Sequence, residues 1–261
     1  SGQGLMEHLP PKNTKVWLCN MGQVEYRSAW ALQQHLHTRI VEQKLDNRKR
    51  EPQALQPTEN FLLLCEHNPV FTLGKSGNPG NLLLNETMLQ SKGVDFLPIN
   101  RGGDITYHGP GQLTAYPILD LANFFTDIGK YLRLLEEAII MVLKEYGLNG
   151  SRIEGLTGVW LDADVPSKAR KICAIGVHTS RWVTMHGFAF NICADLSPFS
   201  YIVPCGIPDK GVTSLHLEVE GVSYPRVVQQ TVEALQSVFN MELQQPQAPI
   251  WPSDFPQFRN E

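Results

Sequence analysis

The sequence predicts an α+β fold, a single domain in which a mixed, largely antiparallel sheet is flanked by helices. Helical and strand patterns are mixed along the 261 residues, and three strand-like segments follow one another at 158–162, 171–180 and 182–192. No GxGxxG sequence joins a strand to a helix, so a doubly wound dinucleotide-binding fold is unsupported. With 42% hydrophobic and 18% charged residues, the chain can bury a substantial core.

The N-terminal part of the chain predicts a strand, a helix, a loop and a second strand. Residues 15–22 form an apolar strand pattern, and a helix with one apolar face follows from about Glu25. The polar segment 46–58 contains two prolines and is predicted to be an exposed loop. Residues 61–67, FLLLCEH, form a short continuous apolar run that is typical of a buried strand.

The next part of the chain alternates turns with short elements. Two Asn-Pro pairs within 68–81 predict a turning segment. Residues 85–93 predict a short helix, with Asn85 as its N-cap and Gly93 near its C-terminus. Two further strands are predicted on either side of a glycine-rich loop, at 94–100 and 113–119.

The clearest helical pattern runs from about Ile128 to Tyr146. Asp127 is placed to cap its beginning and Gly147 to end it. A last helix is predicted at about 224–239, with Pro225 near its first position. The buried face of the first of these helices is marked by Leu132, Leu135, Ile139, Val142 and Leu143.

The composition argues against several classes of protein. The net charge of −4 gives no general attraction to nucleic acid, and no apolar run approaches the ~18 residues of a membrane-spanning helix. Five cysteines without a CxxC pair argue against a zinc ribbon or a disulfide framework. Since the N-terminus shows no targeting pattern, we expect a cytoplasmic protein.

We expect a disordered or tag-derived segment at 1–14, a catalytic domain at 15–245 and a tail at 246–261.

The segment RGGDITYHGPGQ, residues 101–112, combines four glycines with several polar side chains. Ordering glycine is entropically costly, so such a run indicates either a flexible linker or a loop whose backbone must approach something closely. Because apolar strand patterns flank it on both sides, we interpret it as a shaped ligand-binding loop.

One cysteine differs from the others in its setting. Cys205 lies between Pro204 and Gly206, whereas the other four lie in or beside apolar strand patterns and are interpreted as buried packing residues. A cysteine in a Pro/Gly loop is a candidate nucleophile, and a nearby cation would stabilise its thiolate. The residues alone leave that cation open among Lys171, Lys210, Arg101 and the histidines.

Six motifs in this order resemble one family, the lipoate-biosynthesis octanoyltransferases, over most of the chain from about Val16 to Leu243. The resemblance implies a fold shared with biotin ligases and lipoate-protein ligases. It also implies transfer of octanoyl to a protein lysine, without a metal or cofactor. The motifs are EHNPVFTLGK (66–75), NRGGDITYHGPGQLTAYPILDL (100–121), GVW (158–160), KICAIGVH (171–178), HGFAFNI (186–192) and PCGI (204–207).

The same resemblance assigns roles to residues. The family's nucleophile corresponds to Cys205 and its lysine partner to Lys171. The acyl-binding backbone segments correspond to Arg101, Gly102, Gly103, Asp104, Ile105, Thr106, Tyr107 and His108, to Ala174, Ile175 and Gly176, and to Gly187, Phe188 and Ala189.

The resemblance also implies partners. Octanoyl-acyl carrier protein is the implied donor, and the implied acceptors are lipoyl domains of 2-oxoacid dehydrogenase E2 subunits and the glycine cleavage H protein. We expect a monomer that binds neither nucleic acid nor membrane. Because acyl carrier proteins are acidic, Lys75, Lys168 and Arg170 are candidates for a docking patch.

Several alternatives remain open from the sequence. His108 either polarises the acyl carbonyl or holds the loop by hydrogen bonds. The apolar residues Phe188, Phe190, Leu73 and Tyr107 either line an acyl tunnel or belong to the core. The rival functions are an ATP-dependent lipoate- or biotin-protein ligase, a non-catalytic scaffold, and a Cys–His hydrolase with His108 or His186 as its base.

Overall fold

The computed structural model describes residues 8–203 and 211–252, in which a nine-stranded mixed sheet carries most of the domain. Strand β1 runs parallel to β2 and β12, whereas the path β2–β6–β10–β9–β8–β7 is antiparallel throughout. The α+β class and the antiparallel meander are therefore confirmed. These strands are β1 (Lys15–Val24), β2 (Phe61–His67), β6 (Gln112–Ile118), β7 (Ser151–Ile153), β8 (Leu156–Leu161), β9 (Arg170–Ser180), β10 (Val183–Asn191), β11 (Gly211–Val212) and β12 (Glu242–Gln244).

Helices cover both faces of this sheet. Helix α1 (Tyr26–Asn47) buries Leu32, Leu36 and Ile40 against one face. Helices α3 (Ile128–Glu145) and α5 (Tyr224–Phe239) pack against each other and cover the opposite face. Among the residues that the structure describes, no helix is both long enough and apolar enough to cross a membrane.

The predicted helix boundaries follow from local capping. Asp127 accepts a hydrogen bond from the Lys130 amide at 2.9 Å and so satisfies one of the free donors at the start of α3. Asn85 does the same for the Met88 amide in α2 (Glu86–Lys92), which ends at Gly93 in the left-handed conformation. Both caps lie where the sequence predicted them.

A second, three-stranded sheet corrects two sequence predictions. The segment predicted only to turn contains β3 (Val70–Leu73), which pairs with β4 (Asp95–Pro98) and β5 (Ile105–His108). Strand β5 lies inside the glycine-rich segment, which was predicted to be a loop throughout. Four-residue strands carry too little periodicity to be recognised, and these two are stabilised mainly by pairing with each other and by shared burial.

The segment after α1 is held to the helix by one side chain. The amide group of Asn47 donates to the Gln56 carbonyl at 2.8 Å, and its oxygen accepts from the Gln56 amide at 2.9 Å. Most of the intervening residues are exposed, and a single 3₁₀ turn covers Pro52–Ala54. Two hydrogen bonds between Asn47 and Gln56 therefore join the two ends of this mostly exposed polar segment.

Candidate active site

A cavity of about 480 Å³ lies between the meander, the glycine-rich segment and β6. Every residue of the predicted acyl-binding segments except Tyr107 lines it, and Lys171 lines it as well. The structure therefore brings three distant sequence segments and the predicted lysine around one space. The remaining lining residues are Tyr26, Ser76, Gln112, Thr114, Tyr116, Leu132, Gly155, Leu156, Thr157, Val177, His186, Asn191, Phe199 and Val212.

The glycine-rich segment is fixed against β9 by its backbone. The Gly102 amide donates to the Val177 carbonyl at 2.9 Å. A Cβ atom on Gly176 would lie only 2.6 Å from the Gly102 carbonyl oxygen, so this approach requires glycine at position 176. Close backbone contact thus explains glycine here. Because the Gly102 amide already donates to the Val177 carbonyl, it is not free to bind the oxyanion of a reacting carbonyl group.

We expect Gly176→Ala to lower the free energy of unfolding by about 1–3 kcal/mol, because the added methyl must displace the Gly102 carbonyl. Urea unfolding measures this loss. Gly129→Ala is the matched control, since Gly129 lies in α3 and its nearest contact is the flexible end of Arg133. That control should be neutral or stabilising by up to about 1 kcal/mol. Equal unfolding energies for Gly176→Ala and the wild type would contradict the prediction.

Arg101, the residue before Gly102, anchors the same end of the segment to β3. Its guanidinium donates to the Thr72 carbonyl at 2.8 Å, to the Thr72 hydroxyl at 2.9 Å and to the Gly102 carbonyl at 2.9 Å. The side chain is only 7% exposed, so these bonds tie the segment to β3 in a largely water-free setting. A buried guanidinium beside the cavity also makes protonation of the neighbouring imidazoles unfavourable.

The protonation state of His108 follows from its hydrogen bonds. The Gln112 amide nitrogen donates to the Tyr107 carbonyl and to Asn191 Oδ1, both at 3.0 Å, so Gln112 Oε1 is the acceptor in the 2.7 Å contact with His108 Nδ1. The proton of neutral His108 therefore lies on Nδ1. Burial, and then the charge of a protonated His67, lower the pKa of His108 to about 3, with Arg101 adding to the effect.

His186 occupies a strained position on β10. Its φ of 59° is in the left-handed region, which is rare for residues other than glycine. The backbone amide donates to Gln33 Oε1 at 2.8 Å, and Nε2 lies 2.7 Å from Asn100 Oδ1. Burial and the nearby charge of Arg101 lower the pKa of His186 to about 3. His186 therefore lines the cavity as a neutral, hydrogen-bonded imidazole.

A β-bulge directs Lys171 towards the cavity. Val159 pairs with Cys173 and Trp160 with Lys171, so Ile172 is an extra residue on β9. Ile172 and Cys173 are both buried in the main core, whereas Lys171 and Ala174 both line the cavity. Residues three apart on a regular strand point to opposite faces. The extra residue shifts this alternation by one, so that Lys171 lies on the same side of β9 as Ala174, in the predicted Ala174–Gly176 segment.

Cys205, the predicted nucleophile, lies outside the described residues. The described residues on either side of it are informative. Phe199 precedes it and Val212 follows it, and both line the cavity. Val212 also pairs with Lys171, and the Thr213 amide donates to the Lys171 carbonyl at 2.9 Å. The cavity lining therefore includes one described residue on each side of the predicted nucleophile, Phe199 and Val212.

Some predicted lining residues are core residues instead. The ring of Tyr107 packs against Phe71 and Phe199, Phe190 is fully buried in the main core, and Leu73 lies in the core of the small sheet. Of the four apolar candidates, only Phe188 lines the cavity. Strand alternation explains Tyr107, because its neighbours Thr106 and His108 on β5 line the cavity from the opposite face.

The predicted cysteines and basic residues are also placed. Cys19, Cys65 and Cys173 are buried as expected, whereas Cys193 is half-exposed.

Arg170 forms ion pairs with Asp162 at 2.7 Å and Glu218 at 2.5 Å, so its charge is largely balanced within the protein. Lys75 Nζ lies 3.3 Å from His178 Nδ1. No group of three or more potential metal ligands is found in residues 8–203 and 211–252.

Several lining residues were missed by sequence reasoning. Gln112, Thr114 and Tyr116 lie at alternate positions of β6, and this period of two could have identified them as one face. Tyr26 comes from the start of α1, far from every motif, and no local signal marks it. Its ring stacks on His108 at a centroid distance of 5.7 Å.

Comparisons with known proteins identify the family of this chain. The lipoyl protein ligase A/B catalytic domain model matches residues 25–236. An octanoyltransferase of Flavobacterium johnsoniae is 55% identical over 233 residues, which cover 88% of this chain and 99% of that protein. An octanoyltransferase of Christiangramia forsetii is 52% identical over 233 residues, covering 88% and 98% of the two chains.

Solved structures show the same fold at low sequence identity. A bi-partite lipoate protein ligase from Thermoplasma acidophilum has a TM-score of 0.64 at 15% identity, covering 92% of this chain and 88% of that chain. Lipoate-protein ligase A bound with ATP has a TM-score of 0.61 at 14% identity, covering 93% and 90%. These two likenesses concern the fold alone. The family model and the sequence relatives establish that the chain belongs to the lipoyl protein ligase A/B catalytic domain family and is an acyltransferase.

Proposed function

We propose that this protein transfers an octanoyl group from octanoyl-acyl carrier protein to the lysine of lipoyl domains, through a thioester on Cys205. One observation carries the proposal: Lys171 and the three predicted acyl-binding segments line one cavity, whose wall includes residues on both sides of the Cys205 segment. The names of relatives that are more than 50% identical support octanoyl as the acyl group.

The cavity combines features that suit an acyl thioester. Leu132, Leu156 and Phe188 supply apolar wall, and the glycines at 102, 103 and 176 contribute backbone without side chains to the lining. Removing roughly seven methylene or methyl groups from water at ~0.8 kcal/mol each would contribute about 5–6 kcal/mol to binding. That amount favours octanoyl over much shorter chains and discriminates weakly between neighbouring lengths.

The first half-reaction forms the acyl-enzyme. The Cys205 thiolate, stabilised by the Lys171 ammonium, attacks the thioester carbonyl, and a new carbon–sulfur bond forms. The tetrahedral intermediate expels the thiolate of the carrier's phosphopantetheine arm, which takes a proton from Lys171. One thioester replaces another, so the acyl group stays activated and no ATP is needed.

The second half-reaction transfers the acyl group to the acceptor. The neutral amine of the lipoyl-domain lysine attacks the Cys205 thioester, and the Lys171 amine takes the proton that this nitrogen loses. Collapse of the intermediate forms the amide and expels the Cys205 thiolate, which restores the starting ion pair. Arg170 is largely balanced by its carboxylate partners, so Lys75 and Lys168 are the better candidates for docking the acidic carrier.

Intact-protein mass spectrometry tests this proposal. After mixing with octanoyl-acyl carrier protein without ATP, we expect the wild type to gain one octanoyl group that hydroxylamine removes. Cys205→Ser should give no adduct or a hydroxylamine-resistant ester, whereas Cys193→Ser, at a half-exposed cysteine, should behave as the wild type. Adding a lipoyl domain should then move the octanoyl group from the enzyme to the domain.

The same experiment separates the rival functions. A requirement for ATP would indicate an adenylate-forming ligase, and rapid release of free octanoate would indicate a hydrolase that uses His108 or His186. Binding of lipoyl domains with neither adduct nor turnover would indicate a scaffold. Any of these three results would overturn the proposed covalent transfer.

A further inference from the structure

Lys171 rests on an aromatic ring that is not part of the cavity lining. Its Nζ atom lies 4.9 Å from the centre of the Trp160 ring. The two residues are directly paired across β8 and β9, so the contact is set by the register of the sheet. Trp160 is only 2% exposed, and its ring is therefore a fixed and largely water-free surface beneath the ammonium.

An indole face attracts an ammonium ion through its quadrupole, and the attraction is stronger where water is excluded. A lysine side chain has four rotatable carbon–carbon bonds and otherwise distributes its charge over many positions. The bulge at Ile172 gives the Lys171 backbone its orientation, and the ring then defines where the charge at the end of the chain resides.

The charged groups on the neighbouring elements do not replace this contact. On α3, the Glu136 carboxylate accepts from the Gly158 amide at 3.0 Å and pairs with Arg152 Nε at 3.1 Å. Arg170 on β9 and Glu218 at the end of the short helix α4 (Leu215–Glu218) form their own ion pair. Cys173, the next titratable residue on β9, is buried in the core, where burial favours its neutral thiol. The indole ring of Trp160 contacts the Lys171 ammonium from the opposite strand, β8.

We propose that Trp160 is a positioning residue for Lys171, whose indole face holds the ammonium at the cavity wall where it stabilises the Cys205 thiolate. The inference rests on the proposed function, because it assigns a role in acyl transfer. Its test does not, because the reactivity of Cys205 can be measured without acyl transfer. Without the ring, the ammonium is less confined, the thiolate is less stabilised, and both half-reactions lose a correctly placed proton carrier.

The test measures how fast Cys205 reacts with iodoacetamide at pH 7, with peptide mass spectrometry identifying the site. We expect Trp160→Leu to slow alkylation of Cys205 about 3- to 10-fold, and Trp160→Phe, which keeps an aromatic face, to remain within about twofold of the wild type. Trp182→Leu is the matched control, because Trp182 is 40% exposed on the surface, and it should leave the rate unchanged.

A second measurement covers the case in which Trp160→Leu does not fold. Replacing all five tryptophans with tetrafluorotryptophan changes ring size little but weakens the quadrupole, and it should also slow Cys205 alkylation. Wild-type alkylation rates in a folded Trp160→Leu protein, or in the fluorinated protein, would overturn the inference. Slower alkylation without any octanoyl transfer by the wild type would support the inference while removing the proposed function.

Discussion

Replacing Lys171 with Met should slow formation of the octanoyl-enzyme about 100- to 10,000-fold, the range typical of losing a positioned proton donor or base. Met keeps much of the length and packing of the lysine stem but carries no charge and no proton. The Cys205 thiolate then lacks its stabilising cation, and the departing carrier thiolate receives no proton from the wall of the cavity. Single-turnover mixing with octanoyl-acyl carrier protein, read by the mass of the enzyme, measures this rate.

Two further variants show that the effect belongs to Lys171. Lys144→Met removes the same charge from an exposed side chain in the last turn of α3, outside the cavity lining, and should change the rate less than threefold. Lys171→Arg keeps a cation but cannot serve as a base, so it should retain more acyl-enzyme formation than transfer to the lipoyl domain. A rate for Lys171→Met within threefold of the wild type would contradict the assigned role.

The sequence predicted the elements that carry their own local signals. Helix α3 has a strong apolar periodicity and a capping aspartate, and the meander has long strand patterns, so both were placed nearly residue for residue. Strands β3 and β5 were not predicted, because each has four residues and gains its stability from the other. Short strands depend on partners that a local pattern does not contain.

The site shows the same division. The glycine-rich segment and Lys171 were identified from motifs, and the structure places them around one cavity. Tyr26 reaches that cavity only because α1 lies across the sheet, and Trp160 reaches Lys171 only through strand register. The bulge that turns Lys171 towards the cavity could not be predicted from the sequence either, because it is defined by how β8 and β9 pair. Tertiary register, rather than composition or periodicity, supplies these contacts.

Acidification should destabilise this fold steeply, because three histidines beside the cavity are buried in their neutral form. His67, His108 and His186 are each at most 6% exposed. Burial lowers the pKa of His67 to about 4 and is the main cause that lowers those of His108 and His186 to about 3. The hydrogen bond of each ring anchors a different element: His67 Nδ1 to the end of β1, His108 to β6, and His186 to the segment after β4.

The sign of the effect follows from proton linkage. In the unfolded chain each imidazole titrates near pH 6.5, so below that pH the unfolded state binds protons that the folded state excludes. The stabilisation is complete above about pH 6.5 and is lost as the pH falls towards 4 and then 3. For three such groups the free energy of unfolding should fall by about 6–8 kcal/mol between pH 7 and pH 4.5, comparable with the whole stability of a typical domain.

Urea unfolding at a series of pH values measures this dependence, and most surface carboxylates remain ionised down to pH 4.5, so histidines dominate the window. His108→Gln should reduce the loss between pH 7 and pH 4.5 by about 2–3 kcal/mol, even if it lowers stability at pH 7, because one excluded proton is removed. His35→Gln, on the exposed side of α1, should keep the wild-type dependence. A wild-type protein whose unfolding free energy changes by less than about 1 kcal/mol over this range would show that the buried imidazoles accept protons without unfolding. In that case the cavity would tolerate a cationic histidine, and His108 or His186 would become a candidate acid for the acyl-transfer reaction.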